Sequence, residues 1–253
     1  MHAIILAAGR GSRLAVHNPE GRPKCLMEFG GRSLLDRHLD ILSQLGVRKL
    51  DLVIGYEADQ IIDHVGKLFS RPDVSFQYNP RYEQGSVLSL LAASEALTSG
   101  EPVVVMDADV LYHPGILQAL LDSDSENCYL LDRDFEAGDE PVKIAVSDGT
   151  MVEFRKKLPD GLSYDMIGES VGFFRFGPKC AALIAAECAL YQSAGLGDAP
   201  HEEALRNVLL RRPDDFDFED ISGMPWIEID FPEDVIRAAE EVLPAIRTDF
   251  PDF

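Results

Sequence analysis

One glycine-rich segment near the start of the sequence combines the residue types that bind phosphate groups. Residues 6–14 (LAAGRGSRL) end an apolar run with two glycines and two arginines, and Pro23 and Lys24 come shortly afterwards. Glycine lets backbone N–H groups approach a phosphate without a Cβ clash, and arginine or lysine adds charge-assisted hydrogen bonds. The spacing predicts a phosphate-binding loop, and the structural alternative is a strand–turn with solvated basic side chains.

Two better-known phosphate loops do not fit this segment. A dinucleotide-binding G-x-G-x-x-G fingerprint needs a third glycine where this chain has Leu14, and the P-loop pattern G-x-x-x-x-G-K-[ST] is absent. The mismatch at Leu14 disfavours a dinucleotide-dependent oxidoreductase. The segment therefore represents a different kind of phosphate loop.

Acidic residues follow two other apolar runs. Asp107 and Asp109 come directly after the run 102–106, and Asp230 follows the run 226–229. Carboxylate oxygens from two strand ends can hold Mg²⁺, which bridges phosphates and neutralises their charge. Taken alone, Asp-x-Asp also fits a capped turn, because aspartate is common in turns.

Strands and helices must position these segments, and the sequence predicts both. In the first half, the predicted strands are 3–8, 50–54, 74–78 and 102–106, and the predicted helices are 34–45 (capped by Ser33), 59–69 and 86–97. In the second half, the predicted strands are 128–132, 143–147, 152–155, 171–176 and 226–229, and the predicted helices are 178–192, 201–210 and 232–243. Strands alternating with helices predict an open, mainly parallel α/β sheet with ligands at the carboxyl ends of its strands.

The charge of the chain restricts its partners. The 253 residues include 23 Lys+Arg and 44 Asp+Glu, a net charge of −21, which argues against nucleic acid and anionic membranes as partners. Residues 214–234 hold nine acids and no Lys or Arg, whereas residues 9–24 hold four basic residues and one acid, a local charge of +3. A basic loop in such an acidic chain predicts a small anionic ligand there.

Compartment signals are few. No apolar run approaches the roughly 20 residues of a membrane span, and the first residues do not have the pattern of a signal peptide. The four cysteines have neither metal-site nor disulfide spacing; they are Cys25, Cys128, Cys180 and Cys188. We therefore expect reduced thiols and a cytoplasmic location.

Longer segments make the sequence similar to a known family. Residues 6–14 and 22–42 (RPKCLMEFGGRSLLDRHLDIL) resemble the nucleotidyltransferases that activate sugar phosphates and phosphocholine. The resemblance continues through 79–94, 106–114, 168–176 (GESVGFFRF) and 226–238 (WIEIDFPEDVIRA), and so spans nearly the whole chain. It is strongest to CTP:phosphocholine cytidylyltransferases, although this chain has Gln84-Gly85-Ser86 where that branch has a T-N-N-type segment.

The resemblance implies a fold and a nucleotide site. The implied fold is a single Rossmann-like, GT-A-type α/β domain over residues 1–253, with a mixed, mainly parallel central sheet flanked by helices. Residues 1–125 would form its nucleotide-binding half and 126–253 its acceptor-binding half. The implied nucleotide-binding residues are Leu6, Ala7, Ala8, Gly9, Arg10, Gly11, Ser12, Arg13, Lys24, Gln84, Gly85, Ser86 and Asp107.

Within that set, the resemblance implies separate roles. Lys24 and Arg13 would stabilise charge on the triphosphate and at the transition state, and Asp109 and Asp230 would bind Mg²⁺. Asp107 would be an additional or supporting metal residue. Backbone groups of 7–9 and the segment 84–86 would contact the base, while Ser86 alone also fits the N-cap of a helix.

The acceptor pocket has weaker signals. A trimethylammonium group is typically bound by aromatic faces with carboxylates nearby, and Tyr112 is a further candidate aromatic. Lysines could bind the acceptor phosphate or lie on the surface. The acceptor-binding candidates are Asp132, Lys143, Lys156, Tyr164, Glu169 and Trp226.

The expected function is Mg²⁺-dependent transfer of CMP from CTP to a small phosphorylated alcohol such as phosphocholine, with release of pyrophosphate. The alternatives are cytidylyl or uridylyl transfer to 2-aminoethylphosphonate, inositol 1-phosphate or a sugar 1-phosphate. A catalytically silent nucleotide-binding regulatory subunit is the alternative of another class. A homodimer is an open expectation.

Overall fold

The computed structural model describes residues 1–14, 21–68 and 73–253. Its strands are β1 His2–Leu6, β2 Glu28–Phe29, β3 Arg32–Ser33, β4 Lys49–Ile54, β5 Asp73–Tyr78, β6 Val103–Asp107, β7 Val110–Tyr112, β8 Cys128–Asp132, β9 Lys143–Ser147, β10 Thr150–Arg155, β11 Met166–Phe176, β12 Asp217–Asp220 and β13 Trp226–Glu228. Its helices are α1 Leu34–Gln44, α2 Ala58–Gly66, α3 Ser86–Ala92, α4 Ser94–Leu97, α5 Pro114–Asp122, α6 Pro178–Ser193, α7 His201–Arg211, α8 Pro232–Arg237 and α9 Leu243–Asp249.

A nine-stranded mixed sheet passes through both halves of the chain. The order β10-β9-β11-β6-β1-β4-β5 forms its main path, and β8 and β12 continue it from β11. The pairs among β6, β1, β4 and β5 are parallel, whereas β11 pairs antiparallel with β6, β8 and β9. The long strand β11 therefore joins a parallel half of the sheet to a largely antiparallel half.

Alternating side chains of the central strands build a core on each face of the sheet. In β1, Ala3 and Ile5 belong to one apolar cluster and Ile4 to the other, and all three are fully buried. Helices α1, α5 and α9 cover the first face, and α3, α6 and α7 cover the second. This layered packing confirms the predicted α/β domain with helices on both sides of a mixed sheet.

Local sequence explains where α1 begins. The Ser33 hydroxyl accepts a hydrogen bond from the Asp36 backbone N–H at 3.0 Å, and the Asp36 carboxylate accepts one from the Ser33 N–H at 3.3 Å. This reciprocal capping satisfies two N–H groups that a helix start leaves unpaired. The predicted Ser33 cap is therefore confirmed.

The structure differs from the sequence prediction in a few elements. The predicted helix 86–97 is interrupted at Ala93, and the helix predicted at 232–243 continues to Asp249 after one π-helical segment, Ala238–Val242. The predicted end of the helix 59–69 at Phe69 lies outside the described residues. The sequence did not predict α5, β7 or β12.

The acidic composition of β12 explains one of these omissions. This strand has the sequence Asp-Phe-Glu-Asp and pairs parallel with β8 as an addition to the sheet. Acidic residues are uncommon in strands, and backbone pairing overrides that preference here.

Parallel pairing brings the predicted site segments to one edge of the sheet. Leu6 at the end of β1 lies in register with Asp107 at the end of β6. The glycine-rich loop and the Asp107–Asp109 turn therefore leave the sheet side by side, at the carboxyl ends of neighbouring strands. Over the described ranges, none of the helices is both long and apolar enough to cross a membrane.

Candidate active site

The glycine-rich loop holds the Lys24 side chain against its backbone. Gly11 has a φ of +63°, and a Cβ built there would lie 2.7 Å from Cγ of Lys24. One-turn 3-10 helices, Ser12–Leu14 and Lys24–Leu26, lie on either side of this contact. Glycine is needed at position 11 both for the left-handed backbone and for the close approach of the lysine.

Lys24 lies between two carboxylates from distant parts of the chain. Its Nζ donates to Asp109 Oδ2 at 3.0 Å and to Asp230 Oδ1 at 2.6 Å, and Arg13 also donates to Asp230, at 3.1 Å. Burial opposes the charge of Lys24, but the two carboxylates outweigh it and raise the pKa of the ammonium. Burial likewise opposes ionisation of Asp230, and the charge of Lys24 lowers its pKa in spite of that.

A third carboxylate, from Glu228, joins Asp109 and Asp230. One carboxylate oxygen from each residue lies within 4.8 Å of the others. The short strand β13 pairs antiparallel with β7, and the Ile229 N–H donates to the Asp109 carbonyl oxygen at 2.9 Å. This pairing places the acids from two separate segments together.

The acid cluster carries more negative charge than Lys24 and Arg13 balance locally. Although Glu228 retains contact with solvent, the surrounding protein and the charges of Asp109 and Asp230 raise its pKa well above the ordinary range. Burial and the charge of Asp109 also raise the pKa of Asp107. Three close oxygen donors with excess negative charge fit a hard divalent cation such as Mg²⁺.

Asp107 lies outside the group of three close carboxylates. Its carboxylate fits against Gly172 of β11, where a Cβ would lie 2.4 Å from Asp107 Oδ2. Gly172 has a φ of +79° and lies within the register shift between Ser170 and Phe174. The irregularity of β11 therefore makes the space that Asp107 occupies.

The segments predicted to contact the base make several contacts within the protein. The Ala7 N–H donates to Val53 O at 2.9 Å, and Ala8 O accepts from the Tyr56 N–H at 3.0 Å. At Gly9, no atom lies within 4 Å of the position of a Cβ, and the Arg10 guanidinium lies 5.8 Å from the centre of the Tyr56 ring. Two backbone groups of the predicted base-binding segment thus extend the sheet.

The segment 84–86 packs against the loop that precedes α7. The Gly85 N–H donates to Gly197 O at 2.9 Å, and a Cβ at Gly85 would lie 2.0 Å from Ala199 O. The interpretation of Ser86 as the cap of its own helix is wrong, because Gly85 occupies the cap position of α3. Instead, the Ser86 hydroxyl accepts a hydrogen bond from the His201 N–H at 2.9 Å and so caps α7.

Three of the six acceptor-binding candidates come together in one cleft. It measures about 390 Å³ and adjoins the acid cluster, since Glu228 and Asp230 also line it. Asp132 and Glu169 are paired across β8 and β11, and Trp226 Nε1 donates to Asp132 Oδ2 at 2.7 Å. Burial and the charge of Asp132 raise the pKa of Glu169 to about 7.

The other acceptor candidates are placed differently. Tyr164 is exposed and does not line this cleft, and Tyr112 is buried against Phe173 rather than facing a ligand. The Lys143 ammonium donates to the backbone carbonyls of Gly138, Pro141 and Lys156, so it holds a loop together. Lys156 pairs with Glu140, a lining residue that Arg13 also approaches at 3.5 Å.

A known protein family matches more than half of this chain. Residues 3–161, which include the glycine-rich loop, Lys24 and Asp109, match the model of the MobA-like NTP transferase domain. The chain belongs to this family. It is a nucleotidyltransferase, and members of this family use a nucleoside triphosphate and a phosphorylated substrate.

Similar proteins agree with that assignment. The nucleotidyltransferase is 23% identical to the CTP:phosphoglutamine cytidylyltransferase of Campylobacter jejuni, over 93% of this chain and 98% of that protein. It is 29% identical to the bifunctional IPC transferase and DIPP synthase of Rubrobacter xylanophilus, over 95% of this chain but only 51% of that longer protein. The inositol-1-phosphate CTP transferase structure from T. maritima has the same fold, with a TM-score of 0.75, 21% identity, and coverage of 97% of this chain and 96% of that one.

Glu228 joins the acid cluster of the nucleotidyltransferase, although the sequence patterns did not single it out. The segment 226–230 (WIEID) alternates polar or aromatic residues with isoleucines, and Ile227 and Ile229 are buried. Strand alternation places Trp226, Glu228 and Asp230 on the opposite face, and all three line the cleft. That alternation was the signal for Glu228.

Proposed function

We propose that this nucleotidyltransferase is a Mg²⁺-dependent cytidylyltransferase. It transfers CMP from CTP to a small phosphorylated alcohol such as phosphocholine and releases pyrophosphate. The observation that supports this most is the meeting of Lys24 with Asp109 and Asp230 beside the glycine-rich loop. The similarity to the CTP:phosphoglutamine cytidylyltransferase of Campylobacter jejuni supports CTP as the donor.

The chain offers a site for the metal in this proposal. Asp109, Asp230 and the newly found Glu228 would hold Mg²⁺, because hard oxygen donors with uncompensated charge suit it. When bound, Mg²⁺ would neutralise charge on the phosphates as it builds up during transfer. Asp107, which lies outside this cluster and fits against Gly172, would be an additional or supporting metal residue.

The basic residues beside the metal site would stabilise negative charge during the reaction. An oxygen of the acceptor phosphate attacks the α-phosphorus of CTP, the bond from that phosphorus to the bridging oxygen breaks, and pyrophosphate leaves. Lys24 and Arg13 would stabilise the negative charge on the transferring group and on the leaving pyrophosphate. A phosphate monoester is already a competent nucleophile, so positioning and charge stabilisation suffice without a covalent intermediate.

The acceptor would bind in the cleft that adjoins the acid cluster. Asp132, Glu169 and Trp226 are the predicted acceptor residues that line it. Acceptors that carry an amine or a quaternary ammonium are favoured by that lining, and inositol 1-phosphate and sugar 1-phosphates are the alternatives. Uridylyl transfer from UTP is the alternative to cytidylyl transfer, and the two donors differ in the base that the protein must contact.

A pyrophosphate-release screen tests the proposal. CTP and UTP are each combined with phosphocholine, 2-aminoethylphosphonate, inositol 1-phosphate and glucose 1-phosphate, with and without Mg²⁺. We expect release with CTP and at least one acceptor, and only with Mg²⁺. Faster release with UTP would contradict the base assignment, and no release with any pair would favour the silent regulatory subunit.

A further inference from the structure

The cleft beside the acid cluster has an unusual charge for a site that must receive a phosphorylated substrate. Nine carboxyl groups line it, together with a single guanidinium, that of Arg237. The nine carboxyl groups belong to Asp132, Asp134, Glu136, Asp139, Glu140, Glu169, Glu228, Asp230 and Asp234. Lys24, Arg13 and a bound metal would attract the phosphate end of an acceptor, but the other end must lie among these acids.

Asp132 and Glu169 form a carboxyl pair in the wall of this cleft. They are register partners on adjacent antiparallel strands, which places their Cβ atoms about 4.5–5.5 Å apart. Asp132 is only 7% exposed, and its two oxygens accept hydrogen bonds from Trp226 Nε1 at 2.7 Å and from the Asp134 N–H at 2.9 Å. These two donors hold the Asp132 side chain in place beside Glu169.

The positively charged side chains near Glu169 form hydrogen bonds or ion pairs with other groups. Lys143 on β9 donates to three backbone carbonyls, Lys156 after β10 pairs with Glu140, and Arg237 on α8 lies 3.7 Å from Glu136. Burial and the neighbouring Asp132 therefore prevail and raise the pKa of Glu169 to about 7. Near neutral pH, a large fraction of the Glu169 carboxyl groups carries a proton.

We propose that the Asp132–Glu169 pair selects acceptors with a positively charged group, and that Glu169 releases its proton to solvent when that group binds. This inference rests on the proposed function, because it names the class of acceptor for the same site. The acceptor is a zwitterion, with a phosphate or phosphonate at one end and an ammonium group at the other. The positive group neutralises Asp132 and favours the ionised form of Glu169, so the proton leaves to water and no bond of the acceptor changes.

Neutral acceptors lack this compensation. A polyol or sugar in the same place leaves the carboxylate of Asp132 unpaired with any cation and keeps Glu169 protonated. The bound phosphate would then add negative charge to a cleft already lined by acids. Charge therefore discriminates between acceptors of equal size in this cleft.

Isosteric acceptors give the most direct test. Phosphocholine is compared with 3,3-dimethylbutyl phosphate, in which carbon replaces the charged nitrogen, and phosphoethanolamine is compared with propyl phosphate. With CTP and Mg²⁺ fixed, we expect the cationic member of at least one pair to have a KM lower by about tenfold or more. Equal KM values within both pairs, or a preference for inositol 1-phosphate or glucose 1-phosphate, would overturn the inference.

The variant Glu169→Gln tests the role of the proton. Glutamine imitates the protonated carboxyl but cannot become an anion, so the KM for the cationic acceptor should rise about tenfold while that for the neutral isostere stays unchanged. In the wild type, the KM for the cationic acceptor should fall as the pH rises through about 7, because the carboxylate becomes available; the fall should be smaller in the variant. Glu95→Gln, an exposed carboxylate on α4, is the matched control.

Calorimetry measures the released proton itself. The cationic acceptor is titrated into the enzyme with Mg²⁺ and a non-reactive methylene analogue of CTP, in buffers of different ionisation enthalpy at pH 7. The wild type should release about half a proton more than Glu169→Gln, as expected for a group that titrates near that pH. If the wild type and Glu169→Gln release the same number of protons, Glu169 does not lose a proton on binding and that part of the inference is wrong.

The two proposals fail in distinguishable ways. Loss of the Mg²⁺-dependent reaction with every acceptor would reject the proposed function, whereas a normal reaction without discrimination by charge would reject only this inference.

Discussion

The two halves of the sheet build their parts of the site in different ways. In the parallel half, the glycines that follow β1 and the turn that follows β6 lie side by side because the two strands are in register, and Lys24 binds Asp109 there. In the antiparallel half, Asp132 and Glu169 come from the paired strands β8 and β11. They meet Trp226 in one cleft, and Trp226 comes from β13, which pairs with β7 outside this sheet. The first arrangement depends on a few backbone positions and one lysine, whereas the second depends on the packing of whole strands.

Replacement of Lys24 by alanine should have the largest effect on turnover. It would show how far the site at the parallel half of the sheet depends on one charge. It removes the cation that lies between Asp109 and Asp230 and that would stabilise the transferring group. We expect kcat to fall by about 10²–10³, the usual result of losing one well-placed group that stabilises charge. Turnover is measured by pyrophosphate release, and Lys179→Ala, an exposed lysine on α6, is the control. Near-normal turnover in Lys24→Ala would contradict the role of this lysine.

The variant Gly11→Ala tests whether the backbone of the loop positions that lysine. An alanine Cβ would meet Cγ of Lys24 at 2.7 Å and would also strain a backbone with a φ of +63°. We expect kcat/KM to fall about tenfold, with a loss of about 1–2 kcal/mol in the free energy of unfolding. Gly46→Ala isolates the backbone cost, because Gly46 has a φ of +78° and nothing within 4 Å of the Cβ position. If both variants keep full activity, contact between residues 11 and 24 is unimportant.

In the cleft beside the acid cluster, Trp226→Phe removes one hydrogen bond and keeps an aromatic ring. The Asp132 oxygen that accepts from the indole at 2.7 Å would lose this donor, which typically costs about 1–3 kcal/mol for a buried group. We expect the KM for the acceptor to rise about fivefold or more, while the KM for CTP stays the same. If steady-state assays show that the KM for the acceptor and the KM for CTP rise together, the acceptor cleft and the nucleotide site do not act separately.

The smallest effect on activity is expected for Ser86→Ala, which tests the contact between the segment 84–86 and α7. The hydroxyl accepts from the His201 N–H at 2.9 Å, and losing such a cap costs about 1 kcal/mol of stability. Denaturant unfolding should show that loss, with less than a twofold change in the KM for CTP. Ser193→Ala, at the exposed end of α6, is the control. A larger rise in the KM for CTP would instead support the predicted contact of Ser86 with the base.

The same contrast explains which parts of the site could be predicted from the sequence. Local patterns drew attention to Lys24, Asp109 and Asp230, which lie in a recognisable loop or close after apolar runs. Their roles were implied only by the resemblance of longer segments, and the structure brings the three side chains together. Tyr164 and Lys143 were chosen as acceptor residues by type alone, and the structure places the first on the surface and uses the second to bond a loop. The sequence does not show which strand pairs with which, and pairing decides what enters the cleft.

The fold was predictable to a similar degree. Apolar runs located the central strands, and the Ser33 cap located the start of α1. The acidic strand β12 was missed because its residues have low strand preference, and the role of Ser86 was mistaken because its partner lies 115 positions away. Local preference loses to tertiary contacts in both cases.

The bond between Lys24 and Asp230 also concerns the order in which the enzyme becomes active during its synthesis. The two residues are separated by 206 positions, and Arg13 and Asp230 by 217. A ribosome makes the glycine-rich loop first and Asp230 more than two hundred residues later, so a nascent chain holds Lys24 without its second carboxylate. Nucleotide transfer that depends on this pair would therefore begin only after β13 has left the ribosome and paired with β7.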